Sequence, residues 1–426
     1  MPLGFYFIMA AQFFSALADN ALLIAAIAVL REMQEPSSYE PLLRTVFTVS
    51  YIVLAAFVGS FADSMAKGKV MFISNNIKII GCLLMLGSVH PLAAYAVVGL
   101  GAAMYSPAKY GILTEYLPHK LLVVANGWIE GLTVGAIVLG VVLGGTLVEP
   151  SNAMALLNFV ENTLLPSNVA EFLKSLNPHA SFVNIFIVTF LYILAAFFNL
   201  YVPKTNAELK PMKVNPLTTL KEFGGCLKLL AVDKLGQISL IVTTLFWGAG
   251  ATLQFIVINW ADKALGLGLS DSSKLQGVVA IGIAVGAVLA AKFISLRKSV
   301  KVIPIGILMG LVVMGMNLVS QTSVAICALI FIGALSGFFV VPMNALLQHR
   351  GHVLMGAGHS IAVQNFMENS SILVMTGLYF LMIEMQLSIY ITIILFGLFV
   401  SGTMVGVQIL HNKNQRQNDA VKDLPQ

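Results

Sequence analysis

The sequence has few charged residues: Asp, Glu, Lys and Arg make up only 10% of its 426 residues, whereas a typical soluble domain carries about 25%. Residues with hydrophobic side chains make up 58% of the chain. This balance excludes an ordinary soluble globular protein, because no soluble core of this length needs so much apolar surface. It favours a bundle of membrane-spanning helices, each of about 20 residues.

Cysteine is also scarce, and the sequence patterns of several enzyme classes are missing. Cys82, Cys226 and Cys327 lie far apart and form neither a CxxC nor a Cys/His pattern, so neither a zinc site nor a disulfide framework is indicated. The chain has no Walker A loop for ATP hydrolysis, no HExxH motif and no His-x4-Asp motif of acyltransferases. We therefore expect a protein that is not an enzyme and that needs no metal or other cofactor.

Apolar runs separated by polar, Pro-containing or Gly-containing breaks predict twelve spans. They lie near residues 5–30, 41–64, 70–88, 91–116, 121–148, 180–202, 236–262, 272–296, 300–319, 322–348, 355–382 and 387–410. With the amino terminus inside, 17 of the 24 Lys and Arg residues fall in cytoplasmic loops and five fall outside, while Lys78 and Lys109 fall within spans. The positive-inside rule then predicts that both termini are cytoplasmic, and it explains the net charge of +5 without a nucleic-acid partner.

The spans form two groups of six on either side of a basic segment, an arrangement typical of major facilitator transporters. Similar pairs in spans 5 and 11, Asn126 with Glu130 and Gln364 with Glu368, support an internal duplication. We predict an all-α membrane protein with the major facilitator fold, in which twelve transmembrane helices form two pseudo-symmetric six-helix halves. Its predicted parts are an N-terminal six-helix bundle (1–202), a basic cytoplasmic linker (203–235), a C-terminal six-helix bundle (236–411) and a polar cytoplasmic tail (412–426).

The loop after span 2 carries Gly59, Asp63, Lys67 and Lys69 at a spacing that resembles the cytoplasmic signature of that superfamily. Gly59 allows close approach of a second helix, and Asp63 can cap a helix terminus or pair with a basic side chain. These four residues are predicted to form a conformational latch that opens during transport. The alternative is a short basic turn that only obeys the positive-inside rule.

Five ionisable residues fall inside apolar spans: Asp19, Lys78, Lys109, Glu130 and Glu368. A charge at the bilayer centre costs at least about 2.5–3.5 kcal/mol, so each needs a partner, a wet cavity or a route to the interface. Asp19, Glu130 and Glu368 lie near the midplane, where they belong either to a substrate path or gate, or to a buried structural hydrogen-bond cluster. Lys78 and Lys109 are shallower. For Lys78, the favoured interpretation is that its side chain snorkels to the headgroups. For Lys109, snorkelling and a functional role are equally supported.

Polar residues in two spans share helical faces. Gln12, Ser15 and Asp19 follow each other at i, i+3 and i+7, which places them on one stripe of span 1. In span 11, Asn365 lies about one turn before Glu368. Because polar stripes are costly against lipid, we expect both to face the protein interior.

Two further sets of residues receive structural interpretations. The small residues of Gly135–Gly145 and Gly277–Gly286 predict close helix packing. His349, His352 and His359 cluster around the predicted connection between spans 10 and 11, and they are predicted to be loop residues.

Six stretches of the sequence resemble the lysophospholipid transporter (LplT) family of the major facilitator superfamily. Because they occur in both halves, the resemblance concerns the whole chain. They are Ala11–Leu23, Phe57–Ser64 with Lys67–Val70, Tyr105–Leu113, Leu245–Gly250, Pro342–Gln348 and Ile361–Asn369.

The resemblance implies a flippase-type facilitator of the bacterial inner membrane. Such a protein moves lysophospholipids, especially lysophosphatidylethanolamine, to the cytoplasmic leaflet, where a separate acyl-ACP-dependent acyltransferase re-esterifies them. Gln254 stands in span 7 where some relatives are expected to carry an arginine, so the headgroup phosphate must be held otherwise, with Lys109 as the candidate. Asp19, with Gln12 and Ser15, is predicted to receive the headgroup ammonium.

The predicted substrate-binding set comprises the polar residues of these spans: Asp19, Gln12, Ser15, Lys109, Glu130, Gln254, Glu368 and Asn365. Two other functions stay open. The first is an ion-coupled facilitator of a small polar solute or drug, with Asp19 or Glu130 as proton carrier. The second is a membrane-embedded lipid acyltransferase, against which the absence of a nucleophile and base set argues.

Overall fold

The structure is a computed structural model that describes residues 1–35, 39–149, 180–210, 215–267 and 269–417, with the isolated residues 151, 152, 154, 155, 158, 421 and 424. In these residues all regular structure is helical, which confirms the all-α prediction. The helices are α1 Leu3–Glu32, α2 Tyr39–Asp63, α3 Lys67–Leu86, α4 Pro91–Tyr116, α5 Leu122–Val148, α6 Ala180–Leu200, α7 Pro216–Val232, α8 Gly236–Leu265, α9 Leu269–Phe293, α10 Ile303–Gly315, α11 Thr322–Met355, α12 Ala357–Glu384 and α13 Ile389–Gln417.

Ten helical segments of the described residues are long and apolar enough to cross a membrane. Helix α10 reaches this length through its flanking 3-10 turns, which extend the segment to Leu296–Leu318. Helix α4 has 26 residues, and α9 contains the shorter apolar segment Gly277–Phe293. With these two, α1–α6 and α8–α13 are consistent with the twelve predicted spans, and α7 lies within the predicted linker.

The chain forms two compact units. The first unit contains Met1–Leu54, Met65–Lys109 and Gly135–Lys204. The second unit contains Ala55–Ser64, Tyr110–Val134 and Thr205–Gln426. The second unit therefore includes the end of α2, the end of α4 and the first part of α5 together with α7–α13.

Glycines allow close helix contacts in both units, as the small-residue runs predict. A Cβ atom added to Gly286 of α9 would overlap the carbonyl oxygen of Ala334 in α11. One added to Gly140 of α5 would lie 2.6 Å from the carbonyl oxygen of Leu17 in α1. By contrast, a Cβ at Gly135 would meet nothing within 4 Å, so this glycine of the same run is not needed for packing.

Gly356 separates the two long helices α11 and α12. Its φ of 97° lies in a region that residues with a side chain rarely adopt. The turn ends α11 with a hydrogen bond from Gly356 N to His352 O (3.1 Å) and begins α12 at Ala357. It thereby presents the free backbone N–H groups at the start of α12 to other residues of the second unit.

Candidate functional site

A buried ion pair joins α1 to α3 in the first unit. The ammonium nitrogen of Lys78 lies 2.8 Å from Asp19 Oδ1 and 2.9 Å from Asp19 Oδ2. The Lys78 side chain is only 1% exposed, so the prediction that it snorkels to the headgroups is wrong. Gly101 of α4 leaves room for the Lys78 stem, because a Cβ atom added to Gly101 would lie 2.7 Å from Lys78 Cγ.

Further polar and aromatic side chains surround this pair. Lys78 also donates to Ser15 Oγ (3.0 Å), and Ser15 donates to Asn75 Oδ1 (2.9 Å). Tyr192 of α6 donates its hydroxyl to Asp19 Oδ1 at 2.6 Å. We call Gln12, Ser15, Asp19, Asn75, Lys78, Tyr105 and Tyr192 the charged cluster.

Several polar atoms of the charged cluster have no hydrogen-bond partner although they are buried. They are both amide atoms of Gln12, the Nδ2 atom of Asn75 and the hydroxyl of Tyr105. Gln12 lies one helical turn before Ser15 on α1, and the Tyr105 ring centroid is 5.0 Å from Lys78 Nζ. The cluster therefore has hydrogen-bonding capacity that the protein itself does not use.

Two residues of the predicted binding set lie elsewhere. Lys109 is half-buried in α4, just after Pro107, and Asp19 takes Lys78 and Tyr192 rather than Lys109 as its partners. Gln254 is exposed on α8 in the second unit. Neither side chain is thus part of the charged cluster.

A second set of buried polar side chains lies in the second unit. Asn126 of α5 and Gln348 of α11 form a reciprocal amide pair, in which each amide nitrogen lies 2.9 Å from the oxygen of the other. Asn344 Nδ2 donates to Glu130 Oε1 at 3.3 Å. These contacts join the first part of α5 to the second half of α11.

Helix α12 contributes the other members of this set. Gln364 Nε2 donates to Asn344 Oδ1 (3.2 Å) and to Glu368 Oε1 (2.8 Å). Gln364 Oε1 is buried without a hydrogen-bond partner. The adjacent Asn365 is also buried. We call Asn126, Glu130, Asn344, Gln348, Gln364 and Glu368 the amide cluster.

Asp63, at the end of α2, binds the start of α12. Its Oδ1 atom accepts a hydrogen bond from Gly358 N (2.8 Å), and its Oδ2 atom accepts one from His359 N (3.3 Å). His359 Nδ1 lies 2.7 Å from Asp63 Oδ2. Gly59 permits this contact, because an added Cβ would lie 3.0 Å from His359 Cα. A carboxylate at a helix N-terminus is electrostatically favourable, and the histidine reinforces it.

The remaining latch residues and the histidines differ in their surroundings. Lys67 is buried at the start of α3, whereas Lys69 is exposed.

His349 and His352 lie within α11, and His359 lies within α12, so the prediction of loop residues is wrong. The helices extend further than the hydropathy predicts because Gly356 alone makes the turn. In the described part of the chain, no group of three His, Cys, Asp or Glu side chains is suited to hold a metal ion.

An ion pair also anchors the end of the linker helix α7. Arg350 Nε donates to Asp233 Oδ1 at 3.0 Å, and Gly236 N donates to the same oxygen at 2.7 Å. Burial raises the pKa of Asp233, but the hydrogen bonds from Arg350 and Gly236 outweigh burial, so the pKa lies below its ordinary value.

The chain is similar over most of its length to known membrane transporters. Residues 8–376 match the family model of the Major Facilitator Superfamily. The lysophospholipid transporter LplT of Yersinia pestis (strain Pestoides F) is 40% identical over 379 residues, which cover 89% of this chain and 86% of that protein. LplT of Yersinia pseudotuberculosis serotype I (strain IP32953) matches to the same extent. The chain belongs to the LplT family of the major facilitator superfamily.

Solved structures of distant members share the fold of this LplT-family chain. The human organic anion transporter MFSD10 is 12% identical, with a TM-score of 0.71 over 96% of this chain and 100% of that chain. The E. coli fucose:proton symporter FucP is 12% identical, with a TM-score of 0.68 over 96% and 98%. At this identity the likeness concerns the fold alone, and it confirms the predicted major facilitator fold. Membership of the LplT family, together with the ten apolar helical segments of the described residues, makes this chain a multi-pass membrane transporter and not an enzyme.

Sequence reasoning did not single out Tyr105 or Tyr192, and it assigned Lys78, with its neighbour Asn75, to the headgroup region instead of the charged cluster. A partial signal was present, because Asn75 and Lys78 lie at i and i+3 and so share one face of α3. The polar side chains of such a stripe in α3 and of the one in α1 gain hydrogen-bond partners when the two stripes face each other. No comparable signal marks Tyr105 or Tyr192, since their role depends on which helices are neighbours.

Proposed function

We propose that this protein transports lysophospholipids, lysophosphatidylethanolamine foremost, to the cytoplasmic leaflet of the bacterial inner membrane by alternating access. The LplT relatives support the substrate class through their name. The charged cluster supports a headgroup that carries both charges. Both termini are cytoplasmic in this proposal, as the distribution of Lys and Arg predicts.

The Asp19–Lys78 pair is the observation on which the proposal rests. A buried ion pair in a membrane protein is costly and is commonly functional. Its two charges are complementary to a zwitterionic headgroup, in which an ammonium group and a phosphate lie close together. Gln12 and Ser15 flank the pair and supply polar contacts for the same headgroup.

We propose that the other members of the predicted binding set contact the headgroup elsewhere on its path through the protein. Lys109 is proposed to hold the phosphate at another stage of transport, and Gln254 to contact the headgroup from α8. Glu130, Asn365 and Glu368 are proposed to line the path within the C-terminal bundle (236–411) and α5. The acyl chain stays in the lipid between helices.

Opening of the latch is proposed to accompany the conformational change. Gly59 and Asp63 hold the start of α12, and Lys67 and Lys69 contribute positive charge to the same loop. The two six-helix bundles, 1–202 and 236–411, would move about this contact, with 203–235 as the linker and 412–426 as the tail. A separate acyl-ACP-dependent acyltransferase is the proposed consumer of the delivered lysolipid.

A second candidate, an ion-coupled facilitator of a small polar solute, is favoured by one observation. Glu130 and Glu368 are both buried and both belong to the amide cluster. Buried carboxyl groups in transporters can carry protons. Steep dependence of transport on an imposed proton gradient would favour this candidate.

The test is a leaflet-sensitive assay of lysophosphatidylethanolamine delivery in vesicles that contain the purified protein, with and without a proton or sodium gradient. Delivery above that of protein-free vesicles is expected, even without a gradient. Absence of delivery under all conditions would contradict the proposal, and delivery only with a gradient would make the ion a co-substrate.

A further inference from the structure

The linker helix α7 is held against the second unit by its inner face and by both of its ends. Phe223 lies edge-on to Phe366 of α12, with ring centroids 5.5 Å apart. The N-cap Asn215 and the Asp233–Arg350 ion pair hold the two ends of the helix. The side chains that form a buried hydrophobic cluster between α7 and its neighbours α8, α11 and α12 are Leu230, Leu240, Leu347, Met355 and Val363. The opposite face of α7 is therefore presented in a fixed direction.

This opposite face carries large apolar side chains that the protein leaves uncovered. Four of them are 51–70% exposed, and two exposed lysine side chains lie between them along the helix. Leu217 and Val232 share about 60° of the helix circumference with both lysines, because the four follow one another at i, i+4, i+11 and i+15. We call the following six residues the outer face of α7: Leu217, Leu220, Lys221, Lys228, Leu229 and Val232.

Helix α7 lies at the level of the membrane surface. Val232, its last residue, precedes the first residue of α8, Gly236, by four residues, which reach at most about 14 Å even when fully extended. The inner face of α7 packs with Leu240 and Phe366, which lie inside the predicted spans 7 and 11. Helix α7 is thus placed beside the spans, where the headgroup layer is about 5–8 Å thick.

The composition of the outer face fits a lipid surface. Leu and Val side chains beside lysines are typical of helices that lie in the membrane interface, where the apolar groups enter the acyl-chain boundary and the lysine stems reach the phosphates. Both charged side chains of the outer face are basic, which favours anionic headgroups. A water-soluble partner would have to reach α7 beside Leu240 and Phe366, at a depth where lipid is already present.

We propose that the outer face of α7 is an interfacial docking surface for anionic phospholipids. Its Leu and Val side chains enter the boundary between headgroups and acyl chains, and Lys221 and Lys228 pair with the phosphates of anionic lipids. In the proposed orientation of the chain this is the cytoplasmic leaflet. The contact goes beyond the proposed transport function, because it ties the second unit, through α7, to the lipid composition of one leaflet.

The test places a single cysteine at either end of the outer face, Leu217→Cys or Val232→Cys, in a chain whose three native cysteines are replaced by alanine. Each cysteine carries a nitrobenzoxadiazole label, and the protein is reconstituted in phosphatidylcholine nanodiscs with and without phosphatidylglycerol. Quenching by a lipid with a nitroxide near the headgroup end of its acyl chain is compared with quenching by aqueous iodide. The matched control is Gln415→Cys, an exposed position beyond the predicted end of span 12.

In discs with phosphatidylglycerol, the ratio of lipid quenching to iodide quenching should be at least about threefold higher at both α7 positions than at Gln415. Iodide quenching at both α7 positions as strong as at Gln415 would overturn the proposal, since the outer face would then be in contact with water or open to a soluble protein. The two label positions are exposed and lie at opposite ends of α7, so failure of one variant to fold leaves the other to decide.

Lys221→Gln/Lys228→Gln tests the preference for anionic lipid. In the parent chain, phosphatidylglycerol should raise lipid quenching at Val232→Cys at least about twofold, whereas in the double variant it should have no effect. Equal quenching with and without phosphatidylglycerol in the parent chain would overturn the assignment to anionic lipids. The measurement needs no transport, so its outcome is independent of the proposed function.

Discussion

In the first unit the buried polar side chains centre on an ion pair, whereas in the second unit they centre on amide groups. The charged cluster holds Lys78 with three hydrogen bonds but leaves Gln12 without any partner. In the amide cluster, Asn126 and Gln348 instead satisfy each other on both sides, and among its members Gln364 Oε1 is the buried atom without a hydrogen-bond partner. Full satisfaction is typical of a structural contact, while unused capacity beside a charge is typical of a binding site.

The two clusters also connect different parts of the sequence. The charged cluster contains residues of α1, α3, α4 and α6 only. The amide cluster and the Asp63 contact join α2 or α5 to α11 and α12 within the second unit. We infer that the charged cluster recognises the ligand, and we propose that the Asp63 contact opens during transport while the Asn126–Gln348 pair is structural.

The largest effect on stability is expected from loss of one charge of the pair. Asp19→Asn leaves the Lys78 ammonium buried without a counter-charge and should lower the free energy of unfolding by about 3 kcal/mol. Asp19→Asn/Lys78→Met should recover most of this loss. Chemical denaturation of the purified variants in detergent measures both values. No recovery in the double variant would show that the charges are not coupled.

A smaller loss is expected from the reciprocal amide pair. Gln348→Ala leaves the Asn126 amide buried without its partner and should cost about 1–3 kcal/mol. Replacing both residues by Leu should cost less than the single change, because no buried polar group is then left unpaired. The denaturation midpoints of the two variants show which one loses more stability. A larger loss in the double variant would contradict a purely structural role of the pair.

A loss of about 1 kcal/mol is expected when the Asp63 charge is removed from the start of α12. Asp63→Asn keeps the size of the side chain but weakens the contacts with Gly358 N and His359. Ser64→Ala, at the next residue, is the control. If the contact is a latch, Asp63→Asn should also change the delivery rate, whereas a static cap would alter only the denaturation midpoint.

The smallest expected effect is a pH-dependent loss of stability at the Asp233–Arg350 ion pair, which anchors the end of α7. Because the pKa of Asp233 is lowered in the folded state, its stabilising contribution is present above the unfolded-state pKa of about 4 and is lost as pH falls through the folded-state value. The difference in unfolding free energy between wild type and Asp233→Asn should therefore shrink as pH falls below about 4. A difference that is constant with pH would contradict the role of the ionised carboxylate.

The fold was predictable because hydropathy and loop charge are local properties of the sequence. Asp19 and Glu130 could be singled out for the same reason, since a charge within an apolar run needs an explanation wherever the helices lie. The partner of Asp19 was not predictable. Depth along the helix favoured a surface position for Lys78, but its burial depends on the space at Gly101 in another helix.

For Asp63, the sequence predicts the type of contact but not the partner. The spacing of Gly59 and Asp63 indicates a helix cap, but the sequence does not reveal which helix is capped. That depends on which helices are neighbours and on Gly356, whose positive φ ends α11 and starts α12 within one residue. A glycine at this place in the sequence does not by itself predict so short a turn.

The most direct test of the central claim, that the charged cluster recognises the headgroup, is the delivery rate of lysophosphatidylethanolamine by Asp19→Asn/Lys78→Met in vesicles. The account predicts a folded protein, with a denaturation midpoint close to that of the wild type, that delivers the lipid at least about tenfold more slowly. Delivery at the wild-type rate would show that the ion pair serves the fold and not the substrate.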